Sequence, residues 1–232
     1  MASMENITEK YGAFYTQRNP RHVYPVEFVV RAFLGNYPRH KTNPTSYSGK
    51  SILDLGFGDG RNMPLMHNLE MRVFGVEISQ EICDLTEARM RAIGVPIVVR
   101  VGSNHAIPFD DGFFDFVLAC HACYYVAPGS QFKDNAAEIA RVLKPGGKFV
   151  FSAPMATSYL LQGAEDIGGG HMVIGNDPYG VRTGSILKKF DSEAEIAAAL
   201  SPFFSDFSIG CCRNDFWGIE EHVWIAICTR LF

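Results

Sequence analysis

The chain has 232 residues, 47% hydrophobic and 20% charged, enough for one α/β domain with a sizeable core. A formal net charge of −4 excludes a global field that would draw nucleic acid. The start "MASMENITEKYG" lacks a secretory signal's basic-then-apolar pattern, and the most apolar window, "FFDFVLACHACYYVA", is too short for a membrane span and holds Asp115 and His121. The expectation is a cytoplasmic protein with no membrane or nucleic-acid partner, its six cysteines reduced. Cys120 and Cys123 have redox or zinc spacing, but no second pair completes a metal site, so no metal is expected.

Residues 1–45 carry Tyr11, Phe14, Tyr15, Tyr24 and Phe28 and read as a helical cap over the sheet's edge. Strand signals follow at 51–55, 72–77, 97–101, 114–119 and 148–153. Helical spacing fills the gaps: 63–69 with Pro64 in its first turn, 81–93 behind an N-cap Ser79, and 132–143 stopped by "KPGG". Apolar strands alternating with helices predict a parallel sheet covered on both faces. The stretch 154–190 is rich in glycine and shows no strong periodicity, as expected of a lid or insertion. Ser192 and Glu195 match a capping box for a helix reaching about residue 200. Two last strands, near 204–212 and 222–229, predict a hairpin whose connection is the nine-residue "RNDFWGIEE". No internal repeat or second domain is evident.

The stretch "SILDLGFGDGRN" ends the first strand and brings three alternating glycines to the edge where ligands bind open parallel sheets. A dinucleotide would set its pyrophosphate beside Asp54, which repels it. S-adenosylmethionine (SAM) brings an ammonium and a sulfonium, which suit a carboxylate. Glu77, ending the second strand, is placed to accept both hydroxyls of a ribose in either ligand.

Together, "ILDLGFGDGRN", "VFGVEIS", "IPFDDGFFDFVLA" and "RVLKPGGKFVFSAP" resemble the motifs of class I SAM-dependent methyltransferases, over about 50–153 and more weakly to the final hairpin. The resemblance implies a Rossmann-like, doubly wound, mostly parallel seven-stranded sheet with an antiparallel last strand. It implies SAM as cofactor, with Gly56, Phe57 and Gly58 under its methionine part, Glu77 on the ribose and Ile78 on the adenine. Ser103 stands where many members place an aspartate near the adenine, and Asn104 is the alternative donor. Ala119 borders the methionine end. The family's frequent N-terminal cover makes Tyr11 and Arg18 cofactor candidates and Tyr15 a substrate candidate.

Methyl transfer needs the acceptor aligned in line with the leaving sulfur, and an oxygen or nitrogen acceptor has also to lose a proton. His121, just past the fourth strand, is the candidate base, titrating between about pH 5 and 8. Tyr124, Tyr125, His171 and Tyr179 are candidate substrate contacts, with Asp177 and Arg182 in the same glycine-rich stretch. The expected function is methylation of an oxygen or nitrogen of a small-molecule metabolite by a monomer or homodimer. Rival readings are a SAM-binding protein without catalysis and a NAD-type oxidoreductase on a similar sheet.

Overall fold

The computed structural model describes residues 4–17, 23–40 and 46–232. Its centre is a seven-stranded sheet built from β1 (Ser51–Leu55), β2 (Arg72–Glu77), β3 (Ile97–Val101), β4 (Phe114–Ala119), β6 (Leu143–Pro154), β10 (Phe204–Phe216) and β11 (Ile219–Arg230). The order is β10-β11-β6-β4-β1-β2-β3. β1 pairs in parallel with β2 and β4, and β11 runs antiparallel to β6 and to β10. This is the doubly wound sheet with an antiparallel last strand expected from the sequence. Its order reverses between β1 and β4, which opens a crevice beyond their carboxyl ends.

Both faces are covered. α5 (Phe132–Val142) and α6 (Glu193–Leu200) bury Phe132, Ile139, Ile196 and Leu200 against Phe149 and Phe151 of β6. On the other face α2 (Glu27–Leu34), α3 (Met63–Asn68) and α4 (Gln80–Ala92) bury Phe28, Phe33, Met66 and Ile82 against Ile52, Val73 and Leu118. The N-terminal segment was expected over the sheet's edge. Instead α2 packs on a face, because its Phe28, Val29, Ala32 and Phe33 form one apolar stripe. The Phe33 and Phe116 rings meet at 5.9 Å. α1 (Met4–Thr16) lies against α4, where Gly12 leaves room for the Glu81 carboxylate.

Local signals account for the helix starts. Ser79 Oγ accepts the Ile82 N–H of α4, and Ser192 Oγ accepts the Glu195 N–H of α6. Glu195 Oε2 accepts from Asp191 rather than from Ser192, so the box closes one residue early.

Two regions depart from the sequence reading. The glycine-rich stretch holds β7 (Glu165–Gly168), β8 (His171–Val173) and β9 (Ile186–Lys188), which join β5 (Tyr125–Val126) in a second sheet of order β5-β9-β8-β7. Strands of two to four residues are too short to show a period. The predicted nine-residue connection is strand instead. Arg213 pairs with His222 and Phe216 with Ile219, leaving only Trp217 and Gly218 in the turn, both with positive φ. Its polar residues misled the reading because an edge ribbon needs no apolar alternation. Among the described residues no helix is long and apolar enough to cross a membrane.

Candidate active site

A cavity of about 1150 Å³ occupies the crevice and continues under the second sheet. Its floor is the turn after β1. Gly56 (φ 69°) and Gly58 (φ 55°) adopt left-handed backbone that glycine takes without strain. A side chain at Gly56 would also meet Ala122, and one at Gly58 would meet the Tyr15 hydroxyl. Tyr15 of α1 therefore covers Gly58, which was expected to contact the cofactor but does not line the cavity as Gly56 and Phe57 do.

Glu77 faces this floor at the end of β2. Its Oε1 accepts the Gly58 N–H at 2.9 Å and its Oε2 accepts the Ile78 N–H at 2.8 Å. Burial raises its pKa, opposed by those two bonds. Each oxygen keeps a second lone pair for a ligand hydroxyl. Asp54 stands behind the turn rather than on the cavity wall. Both its carboxylate oxygens are buried without a hydrogen-bond partner. Burial, then Glu77 and Asp59, push its pKa up to about 8. A positive charge brought to this end would relieve that cost. The floor thus suits a ribose diol beside a cation, the pattern of SAM.

Phe57, Ile78, Ser103 and Asn104 also line the cavity. Ser103 Oγ is 3.3 Å from His105 Nδ1. Asn104 donates to the carbonyls of Ala122 and Tyr125, and Asn135 donates to those of Cys123 and Tyr125. These bonds pin the 121–125 segment, so Asn104 shapes the site with its amide nitrogen and leaves its oxygen for a ligand. Ala119 is wholly buried in β4 behind the wall. Arg18 lies outside the described residues.

His121 stands just past β4 on the cavity wall, with left-handed backbone (φ 57°) uncommon outside glycine. Its N–H donates to Ser152 Oγ at 2.9 Å, and Nδ1 lies 3.2 Å from the same oxygen. Nε2 lies 3.4 Å from Glu221 Oε1, and the Phe28 ring packs edge-on at 5.6 Å. Ser152 Oγ thus meets both the backbone N–H and the ring of His121, and with its hydroxyl donating to Nδ1 the ring proton falls on Nε2, on the side of Glu221. Burial, with Arg182 second, pushes the His121 pKa down to about 4. The imidazole is therefore neutral well below the expected titration range. Glu221 is the partner that sequence reasoning missed, because it fell in the segment read as a loop. Burial raises its pKa, opposed by Arg182.

The far end is aromatic. Tyr124 and Tyr125 stack at 4.9 Å, and the Tyr11 hydroxyl donates to that of Tyr125 at 3.1 Å. Tyr11 and Tyr15 stack at 6.2 Å, and Tyr179 meets Phe14 and Tyr159 edge-on at 6.4 Å each. The α1 candidates and the substrate candidates thus share one wall. His171, on β8, is not on it. Arg182, Tyr159 and the hairpin residues Phe216 and Ile219 are on it. A signal for Tyr159 was absent, since it comes from an isolated 3₁₀ turn, Tyr159–Leu161.

Residues 53–151 match the family described as "Methyltransferase domain". An uncharacterized 37.1 kDa protein in a transposon of Streptomyces fradiae is 36% identical over 110 residues, 46% of this chain and 30% of that protein. The phthiotriol/phenolphthiotriol dimycocerosates methyltransferase of Mycobacterium tuberculosis is 32% identical over 126 residues, 53% of this chain and 44% of that protein. The chain spans less than half the length of these curated relatives. Among solved structures, a putative methyltransferase of Haloferax volcanii, in complex with the Trm112 methyltransferase activator, aligns over 99% of this chain and 98% of its own. Its TM-score is 0.67 at 19% identity. A SAM-dependent methyltransferase of Methanosarcina mazei aligns over 80% of this chain and 94% of its own, with TM-score 0.64 at 20% identity. At such identities these likenesses establish the fold. The motif order, the sheet order and the 53–151 match agree: residues 53–151 match a methyltransferase domain, the fold is the one that SAM-dependent methyltransferases share, and SAM is the cofactor this implies.

Proposed function

We propose that this protein transfers a methyl group from SAM to an oxygen or nitrogen of a small molecule. The observation that carries this reading is the continuity of a single cavity from Gly56, Glu77 and Ile78 to His121, Glu221 and the tyrosines. Bound at the floor, SAM supplies an electrophilic methyl group. The chain's own residues supply positioning. Glu77 holds the ribose hydroxyls, Asp54 offsets the cationic end, and Tyr11 and Tyr15 exclude water from above. The aromatic end would receive the acceptor, which transfer requires about 3 Å from the methyl and in line with the leaving sulfur.

An oxygen or nitrogen acceptor also releases a proton. On this reading it goes to the His121–Glu221 pair: Glu221 takes the proton, and neutral His121, with Nε2 3.4 Å from Oε1, stands beside the carboxylate. The name of the M. tuberculosis relative supports an acceptor that is neither protein nor nucleic acid. On this reading the enzyme works in the cytoplasm, as a monomer or homodimer, without nucleic acid or a membrane.

The test is calorimetry with S-adenosylhomocysteine (SAH), NADH and NADPH, followed by SAM turnover over a panel of phenols, amines and acids. SAH binding with methyl transfer to one class is expected. Binding of NADH in place of SAH would restore the oxidoreductase reading. SAH binding with no transfer to any acceptor would leave a SAM-binding protein without catalysis.

A further inference from the structure

Resting on the reading of this cavity as a methyltransferase site, we propose that its aromatic end binds a planar acceptor carrying a carboxylate, with Arg182 as the anion's partner. Arg182 is held from behind. Its Nη1 donates to Asp177 Oδ1 at 3.2 Å, and the Asp177 side chain is fully buried. That carboxylate also accepts the backbone N–H groups of Tyr179, Val181 and Arg182, at 3.2, 2.9 and 2.7 Å. Three backbone donors take up much of the aspartate's charge, so the aspartate orients the guanidinium more than it neutralises it.

The front of Arg182 is open to the cavity. Among the described residues its Nε and Nη2 have no hydrogen-bond partner, although the side chain is only 20% exposed. A guanidinium offers donors in a planar fork that matches a carboxylate, and here part of that fork is left over. Its positive field reaches the centre of the site, where it contributes to holding His121 neutral.

The surrounding walls select the rest of the acceptor. The Tyr179 ring lies 5.5 Å from the guanidinium, and the Tyr124–Tyr125 stack and Tyr159 complete a chamber of flat faces. Such faces favour offset or edge-on packing of another ring. Glu221, one of the acids on the wall, forms no ion pair with Arg182 and repels an anion from the methyl end. The two charges orient the acceptor, its carboxylate at Arg182 and its proton-bearing atom at Glu221.

The test titrates 4-hydroxybenzoate and its uncharged counterpart 4-hydroxybenzamide into SAH-loaded protein by calorimetry. The benzoate is expected to bind at least about tenfold more tightly, the lower end for a charged hydrogen bond. Arg182→Gln should erase that difference and leave SAH affinity within about twofold, which also reports that the variant is folded. Arg182→Lys, keeping the charge without the fork, should retain part of it. Equal affinities, a preference that survives Arg182→Gln, or no binding of either probe would overturn the proposal. Failure of SAH itself to bind would instead sink the methyltransferase reading, and the same two titrations on free protein would still decide the role of Arg182.

Discussion

The two ends of the cavity are built by opposite means. The floor, the proposed cofactor end, is made by backbone and acids close in sequence: a glycine turn, Asp54 just before it and Glu77 at the next strand's end. The aromatic end, the proposed acceptor end, is made by side chains from α1, the segment after β4, the second sheet and β11, which no local stretch brings together. A shared cofactor demands a constant geometry, which backbone turns supply. A particular acceptor demands a shape, which side chains on short strands and loops supply without disturbing the sheet.

The contrast predicts that variants at the two ends separate turnover from cofactor affinity. The largest effect belongs to the pair at their junction. His121→Asn and Glu221→Gln should each lower turnover by about 10²–10⁴ with SAH affinity unchanged. The double variant should lose little more than either single one, because the two act as a unit. The acid limb of turnover should lie above the ordinary glutamate value of 4.5, since burial raises Glu221, and should vanish in Glu221→Gln. Additive losses, or a weakened SAH complex, would break the division between the two ends.

Glu77→Ala comes next. It should weaken SAH binding by about 1.5–3 kcal/mol, the range for hydrogen bonds to a charged group, and it frees the Gly58 and Ile78 N–H groups as well. Unchanged affinity in the folded variant would remove Glu77 from the cofactor end.

Asp54 gives a pH signature at the same end. Its folded pKa, about 8, is raised above the ordinary 3.8, so its stabilising contribution is complete below 3.8 and is lost as pH rises through about 8. Unliganded wild type should therefore lose up to about 1.4 kcal/mol per pH unit within that window relative to Asp54→Asn. A cationic ligand favours the ionised form, so SAM binding near pH 7 should release a proton, read as a buffer-dependent binding enthalpy. Parallel pH profiles for the two proteins would show that Asp54 does not titrate there.

Tyr11→Phe is the smallest. It removes one hydroxyl contact, to Tyr125, and should cost about 0.5–1.5 kcal/mol in SAH or acceptor affinity. A much larger loss would mean that α1 closes the cavity cooperatively rather than as one more wall.

The glycine turn and acids that form the cavity floor were legible in the chain because each of these parts has a local cause. A carboxylate after an apolar run, glycines at alternate positions and an acid ending the next strand each leave a mark within a few residues. The β1–β4 boundaries, the caps of α4 and α6 and the antiparallel last strand were legible for the same reason. His121 was found by its place after β4, but not its charge state, which depends on burial and on Arg182 61 residues away.

Hydrophobic period and glycine dihedrals act over short chain distances, so the periodic sheet and the turn chemistry could be read from the chain alone. Packing of distant segments makes the hairpin run as strand to Phe216 and so carries Glu221 to His121. Packing likewise lets Asp177 turn Arg182 into a chamber of tyrosines. Those partners lie far apart along the chain, and their contacts exist only once the core is packed. Burial then sets their charge, because the cost of an ion depends on the dielectric and dipoles around it, not on its neighbours in sequence.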